Sequence, residues 1–185
     1  MTGAVPRYVA FLRGINLGTR RVQMDALRRH FEALGFDGVS TFIASGNVVL
    51  DADEEDAAAL ERRIEVHLQR ALGFGSDTFL RTLTDLKRLS STKEIGAREM
   101  EGFNVHVIFQ RGRVGPKVRA ALRTLESDDD RFLASAREVV WFRRGRLTDS
   151  SITDRDLGLA LGSRENTMRN FNTVRRIIAK FGETG

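Results

Sequence analysis

The chain has 185 residues, contains no cysteine and is 41% hydrophobic. These values exclude a disulfide framework and thiolate metal ligands, and they allow a real hydrophobic core. Lys and Arg number 30 against 25 Asp and Glu residues, a net charge of +5. No stretch approaches the roughly 20 apolar residues that span a bilayer. The N-terminus lacks the apolar core of a secretion signal, so we expect a cytoplasmic protein without membrane contact.

The charged residues alternate in sign along the predicted helices. The run from Glu61 to Glu65 is an example, and such alternation is typical of a solvated helix surface. Nucleic-acid binding needs cations gathered on one face. Non-specific binding of nucleic acid through arginines is therefore an alternative and not the main expectation.

The first half of the chain predicts a strand and helix series of the βαββαβ type. In chain order its elements are a strand at 8–12, a helix at 24–34, strands at 39–44 and 48–50, a helix at 57–71 and a strand at 78–82. Apolar residues recur at helical spacing in the helices, and the strands are runs of β-formers. Ser45, Gly46 and Asn47 indicate a hairpin turn between two of the strands. This arrangement is ferredoxin-like.

The second half begins the same series again. Its predicted elements are a strand at 103–110, a helix at 116–125, strands at 131–134 and 139–142, and helices at 153–161 and 174–181. The last strand of the series is missing. A polar stretch at 90–102 predicts a linker between a first subdomain at 1–89 and a second at 103–185. The predicted class is α+β, with two ferredoxin-like subdomains from an internal duplication, the second incomplete and carrying extra C-terminal helices.

Three separated motifs resemble one known family. They are Tyr8-Val9-Ala10-Phe11-Leu12-Arg13-Gly14-Ile15-Asn16-Leu17-Gly18 with Met24 and Leu27 after it, Ser45-Gly46-Asn47-Val48-Val49, and Thr167-Met168-Arg169-Asn170-Phe171-Asn172-Thr173-Val174. In this order they resemble the family catalogued as domain of unknown function 1697, over nearly the whole chain. Phe171 stands where the family usually has tryptophan, a difference that keeps an aromatic ring but loses an indole donor. The resemblance implies the same kind of fold and no established activity.

The polar segment between the first strand and the first helix is the candidate binding site. In such a position backbone amides, a helix N-terminus and cations can converge on an anion. Its candidate ligands are Arg13, Gly14, Asn16, Gly18, Arg20 and Arg21. The segment lacks the Gly-Lys-Ser/Thr ending of a P-loop and the dinucleotide-binding fingerprint. The alternative is that the two glycines shape a turn while Asn16 caps backbone groups.

The turn at Ser45 to Asn47 has an ordinary explanation as a hairpin whose polar side chains bond to local backbone. We expect the first and third strands to run parallel, which would place this turn at the opposite end of the sheet from the Arg13 loop. A pocket that unites the loop and the turn is therefore not expected.

A second group of candidate ligand-binding residues lies at the start of the terminal helix, namely Arg169, Asn170 and Asn172. The ordinary interpretation is that Asn170 or Asn172 acts simply as the N-cap of the helix. The functional hypothesis is that this segment packs back on the first subdomain and completes its binding surface.

Catalytic and metal-binding signatures are sparse. His30 and His67 fall in amphipathic helices and His106 on a strand, without the spacing of a metal site or of a nucleophile and its base. The third strand lacks the aromatic residues on which RNA-recognition modules stack bases. We assign no catalytic residue, metal or cofactor, and whether the protein is an enzyme is left open.

The expected partner is a small anionic or phosphorylated molecule. Alternatives are nucleic acid, or assembly into a homo-oligomer through an uncovered sheet edge.

Overall fold

The computed structural model describes residues 5–54 and 56–182. Within these residues the chain forms two four-stranded antiparallel sheets and seven α-helices, which agrees with the predicted α+β class. The chain divides into two compact units. One comprises the described residues up to Leu86 together with residues 177–182, and the other comprises Lys87 to Arg176.

The first unit has the strand order β2-β3-β1-β4, with every neighbouring pair antiparallel. Its elements are β1 (Arg7–Leu12), α1 (Met24–Ala33), β2 (Asp37–Phe42), β3 (Asn47–Asp51), α2 (Ala57–Leu72), β4 (Thr78–Thr82) and the first part of α3 (Leu83–Ser90). Local chemistry sets the limits of α2. The Asp56 carboxylate accepts hydrogen bonds from the first-turn N–H groups of Ala58 and Ala59, and Gly73, with φ of 75°, ends the helix.

Alternate residues of the central strands face the helices and form the core of this unit. Ala10 and Leu12 of β1 are buried with Phe31 of α1 and Ile64 of α2. Burial of each large apolar side chain stabilises the fold by about 1.5–3 kcal/mol. Val9, on the opposite face of the sheet, is also completely buried. Phe11 and Phe79 on this face are completely buried as well, so neither ring is available to stack on a base.

Strands β1 and β3 run antiparallel, with Phe11 opposite Asn47 and Arg7 opposite Asp51. The prediction of a parallel pair was therefore wrong. A crossover helix joins β1 to β2 and gives them the same direction, whereas the hairpin between β2 and β3 reverses the chain. The end of β1 consequently lies beside the start of β3.

Helix α2 covers the free edge of the sheet at β4. Glu61 Oε1 accepts a hydrogen bond from the Leu80 N–H at 2.8 Å, and Glu65 Oε1 accepts one from the Thr78 N–H at 2.7 Å. Glu61 is buried, so the prediction that this stretch forms a solvated surface was wrong for that residue. The two carboxylates bind N–H groups that would otherwise be open to another strand.

The second unit has the strand order β6-β7-β5-β8. Its elements are α4 (Lys93–Met100), β5 (Phe103–Gln110), α5 (Pro116–Thr124), β6 (Asp130–Ala134), β7 (Glu138–Arg144), a short 3-10 helix (Leu147–Asp149), α6 (Asp154–Leu161) and β8 (Asn166–Asn170), and α7 (Phe171–Phe181) follows. The prediction that the last strand is missing was wrong. The sequence of β8 is polar, so only its pairing with β5 defines it as a strand. Helix α4 lies inside the stretch predicted as a linker, and its Ile95 is buried.

A buried ion pair supports the second unit. Asp130 accepts hydrogen bonds from Trp141 Nε1 at 2.9 Å and from the Arg143 guanidinium at 3.0 Å. Arg143 also donates to the carbonyl oxygens of Arg146 and Asp149. The pair therefore fixes the segment that contains the 3-10 helix.

We predict that Glu61→Ala lowers the free energy of unfolding by about 1–3 kcal/mol, because it leaves the buried Leu80 N–H without its acceptor. Urea-induced unfolding followed by circular dichroism measures the change. The control is Arg62→Ala, an exposed neighbour on the same helix, which should change stability by no more than about 0.5 kcal/mol. Equal effects of the two substitutions would contradict the edge-capping role of Glu61.

Candidate functional site

The loop after β1 has an alternating backbone conformation. Gly14, Asn16 and Gly18 have φ values of 78°, 58° and 56°. Ile15 and Leu17, which separate them, do not have positive φ. Alternation of left-handed and right-handed residues turns successive N–H groups toward one side and forms an anion-binding concavity called a nest.

The N–H groups of residues 14–16, 18 and 19 donate no hydrogen bond to any other residue within 5–54 and 56–182, whereas Leu17 pairs with Arg20 in an isolated antiparallel bridge. The flanking N–H groups differ, since Arg13 donates to the Asp77 carbonyl at 2.9 Å and Arg20 to the Leu17 carbonyl at 3.0 Å. The predicted loop therefore presents a run of backbone donors that are available to a ligand or to water.

Asn16 holds the loop in this shape. Its Oδ1 accepts a hydrogen bond from the Val22 N–H at 2.8 Å, and its Nδ2 donates to the Ala44 carbonyl at 2.9 Å. Its side chain thus caps backbone groups, as in the alternative interpretation of this residue. The backbone N–H of Asn16 takes no part in these hydrogen bonds and is available to a ligand.

The loop lies against the hairpin turn between β2 and β3. The Leu12 N–H donates to the Gly46 carbonyl at 2.8 Å. A Cβ atom on Gly46 would lie 3.1 Å from Ile15 Cβ and 3.2 Å from Leu12 Cβ. The prediction that loop and turn lie at opposite ends of the sheet was wrong, because it rested on a parallel pairing of β1 with β3.

The turn itself is held by local bonds of the kind predicted. Asn47 Nδ2 donates to the Phe42 carbonyl at 3.0 Å and to Ser45 Oγ at 2.9 Å. Ile43 has a φ of 51° and is exposed. A β-branched residue rarely adopts this conformation, which costs about 1–3 kcal/mol. No pattern in the sequence indicated that Ile43 would be strained beside the candidate site.

The three arginines of the loop have different surroundings. The Arg13 guanidinium forms an ion pair with Asp77 at 3.3 Å. Arg20 lies over the ring of Phe74, 5.5 Å from its centroid. A guanidinium nitrogen of Arg20 would lie 3.2 Å from a Cβ atom on Gly14, so this cation stands directly beside the nest. Arg21 is exposed and forms no ion pair within the described part of the chain.

A surface hollow of about 360 Å³ adjoins the loop. Its lining residues come from the last turns of α2 and from the segment before β4, and they are Glu65, Val66, Gln69, Arg70, Gly75, Ser76 and Asp77. The Ser76 hydroxyl donates to the Arg13 carbonyl at 2.9 Å. Sequence reasoning missed this hollow, because its residues lie more than 40 positions after the loop and carry no motif.

The other predicted ligand-binding residues belong to the second unit. Arg169 is buried and donates to Thr167 Oγ1 at 2.7 Å and to the Met168 carbonyl at 2.9 Å. Burial lowers the pKa of Arg169 to about 10. Asn170 Oδ1 accepts a hydrogen bond from the Asn172 N–H at 2.9 Å at the start of α7, as expected of an N-cap. Participation of these residues in a ligand site stays a prediction.

Two of the three histidines form a pair. The rings of His30 and His67 are 5.4 Å apart in an edge-to-face arrangement. His67 Nε2 is buried and makes no hydrogen bond within the described residues. Burial, with smaller contributions from the charges of His67 and Arg29, lowers the pKa of His30. Burial also lowers the pKa of His106. Nowhere in residues 5–54 and 56–182 do three His, Cys, Asp or Glu side chains meet in a metal-binding group.

The fold and the loop together define an α+β protein with two antiparallel sheets and an open amide loop at the end of its first strand. The profile of the family described as "protein of unknown function (DUF1697)" matches residues 5–140, and the chain belongs to this family. This result confirms the family that the motifs indicated; the first two motifs lie within the matched residues, and the third, at 167–174, lies beyond them.

A solved structure of similar fold is that of the conserved bacterial protein SP0830 from Streptococcus pneumoniae. The TM-score is 0.77 at 24% sequence identity, and the match covers 97% of this chain and 100% of that one. At this level of identity the similarity concerns the fold alone. A comparison with curated proteins found no significant match. Among the described helices, none has the length and apolar character needed to cross a bilayer.

We predict that Gly46→Ala is markedly more destabilising than Gly18→Ala. Both glycines have positive φ, which costs an alanine about 1–2 kcal/mol. At Gly46 the added methyl group also meets Ile15 and Leu12, whereas at Gly18 nothing lies within 4 Å. Chemical denaturation of both variants measures the difference, and equal losses would contradict the close contact between loop and turn.

Stability should fall as the pH drops below the ordinary histidine pKa of 6.5. The lowered pKa values of His30 and His106 mean that the unfolded chain binds protons more readily than the folded protein, so acid favours unfolding. Their contribution is complete above pH 6.5 and is lost as the pH falls toward the lower folded-state pKa values. Melting temperatures measured from about pH 8 to pH 5 should fall less steeply for a His30→Gln, His106→Gln double variant. Identical slopes for the variant and the wild type would contradict this prediction.

Proposed function

We propose that the protein binds a small anionic, phosphorylated ligand at the loop from Arg13 to Arg21. The observation that carries this proposal is the set of N–H groups at residues 14–16, 18 and 19 that have no acceptor within the described chain. Phosphate oxygens are strong acceptors for such backbone donors, and the alternating sign of φ along the loop supports a nest-like arrangement of them.

The surroundings of the loop favour an anion electrostatically. Arg20 stands beside the nest at Gly14, and Arg21 is exposed next to it. Asp77 forms an ion pair with Arg13 and offsets its charge. The anion should therefore lie on the side of Arg20 and Arg21, with Arg13 contributing less than predicted.

The energy available to such a site is sufficient for specific binding. A hydrogen bond from a neutral donor to a charged acceptor contributes about 1.5–3 kcal/mol. Three of them provide about 5 kcal/mol, which corresponds to a dissociation constant somewhat below about 1 mM for phosphate alone. Tighter binding requires further contacts with the rest of the ligand.

We also propose that the two units arose by internal duplication of a ferredoxin-like βαββαβ unit. Both sheets have the same strand order. In each sheet a central valine lies opposite a valine on one side and a buried arginine on the other. The two sets are Val9, Val49 and Arg81 in the first unit and Val107, Val140 and Arg169 in the second.

The loops after the two central strands also correspond. Arg13 follows β1 and pairs with Asp77 just before β4, and Arg111 follows β5 and pairs with Glu165 just before β8, at 3.0 Å. The loop after β5 is short, because α5 begins at Pro116. The second unit thus supplies an internal control, since it has the arginine and its ion pair without the extended amide loop.

The proposal predicts that inorganic phosphate raises the melting temperature in a saturable way. Selective binding to the folded state stabilises it by about 2.7 kcal/mol at 100 times the dissociation constant. In the double variant Arg20→Ala, Arg21→Ala, the phosphate concentration needed for the same stabilisation should be about tenfold higher. Differential scanning fluorimetry at constant ionic strength measures both effects, and a panel of phosphorylated metabolites extends the assay.

Arg111→Ala is the matched control and should respond to phosphate as the wild type does. Any shift common to all three proteins measures the general stabilising effect of phosphate as a salt. The same shift in wild type and double variant would refute the proposed site. Stabilisation by a short oligonucleotide that falls steeply with salt, without a response to phosphate, would favour nucleic-acid binding instead.

A further inference from the structure

We propose that the hollow beside the loop holds the hydroxylated body of the ligand, which makes the ligand a sugar phosphate. This inference rests on the proposed function, because it requires that the amide loop binds the phosphate group. It adds the chemical class of the remainder of the molecule and the residues that recognise it.

The hollow and the loop share a border. The Ser76 hydroxyl, on the wall of the hollow, donates to the carbonyl of Arg13, the first residue of the loop. The next wall residue, Asp77, accepts the Arg13 N–H through its carbonyl and holds the Arg13 guanidinium through its carboxylate. A phosphate on the nest and a group attached to it can therefore lie side by side.

The chemistry of the wall suits hydroxyl groups. Gln69 offers an amide and Arg70 a guanidinium, whereas the Glu65 and Asp77 carboxylates already bind the Thr78 N–H and the Arg13 guanidinium. Sugar hydroxyls both donate and accept hydrogen bonds, so they can pair with both the amide and the guanidinium. The two carboxylates repel phosphate, which keeps the anion at the amide loop and orients the ligand.

Other ligand bodies fit this wall less well. A nucleobase is held mainly by stacking on aromatic rings, and the lining contains no aromatic side chain. The volume of about 360 Å³ is at the lower end of the range for ligand sites, which favours a single sugar ring.

Gly75 borders the hollow. A Cβ atom at this position would lie 2.9 Å from Oε1 of Gln69, a second residue of the lining. Gly75 does not have positive φ, and the residue is exposed. Gly75→Val is therefore compatible with the backbone and adds a branched side chain against Gln69 at the edge of the hollow.

The test compares glucose 6-phosphate, inorganic phosphate and glucose as probes of the full chain by thermal shift. In the wild type, glucose 6-phosphate should reach half of its maximal effect at a concentration about tenfold below that of phosphate. Glucose alone should have little effect. In Gly75→Val and Gln69→Leu the advantage of glucose 6-phosphate should disappear, while the response to inorganic phosphate is retained. Arg62→Ala, on the same helix but outside the hollow, is the control and should behave as wild type.

The outcomes separate the two proposals. Equal half-maximal concentrations for phosphate and glucose 6-phosphate in the wild type overturn the sugar-phosphate inference and leave the phosphate site standing. An advantage of glucose 6-phosphate that survives both hollow substitutions also overturns it. No response of the wild type to either compound overturns both the inference and the proposed function.

Discussion

The antiparallel pairing of β1 with its two neighbours determines where the candidate site lies. The Leu12 N–H donates to the Gly46 carbonyl at the entrance to β3, and the Arg13 N–H donates to the Asp77 carbonyl at the entrance to β4. Asn16 then ties the loop to the hairpin turn. Residues 14–19 leave the sheet from a point fixed on both sides, and the bridge between Leu17 and Arg20 lies within the loop itself. The N–H groups of residues 14–16, 18 and 19 are available because the surrounding hydrogen bonds hold the loop.

The two units show how one arrangement can carry different loops. Arg13 with Asp77 and Arg111 with Glu165 occupy matching positions at the ends of the central strands. In the second unit the chain enters α5 soon afterwards, and the Val114 N–H donates to the Ala136 carbonyl. The ion pair is thus common to both strand ends, whereas the nest belongs to the first. This difference favours a specific role for the first loop over a purely structural one.

Local patterns in the sequence predicted most of the helices and strands. The features that these patterns missed depend on tertiary contacts. Apolar runs such as β1 and helices that end at a glycine, such as α2, lie within a few residues of their predicted limits. β8 is polar and was not predicted, and Glu61 was assigned to solvent although Leu80 is its partner. The sequence also located the amide loop. It could not indicate which N–H groups remain unbonded or that a hollow adjoins them, since Ser76 meets Arg13 across 63 residues of chain.

The most direct test of this account is an NMR titration of the nitrogen-15-labelled protein with inorganic phosphate. Saturable shifts of the amide resonances of residues 14–19, with much smaller changes at residues 112–115 after β5, are the predicted result. Two results would contradict the claim that these N–H groups bind an anion. One is that the resonances of residues 14–19 stay unchanged, and the other is that shifts occur at all exposed arginines and grow with ionic strength.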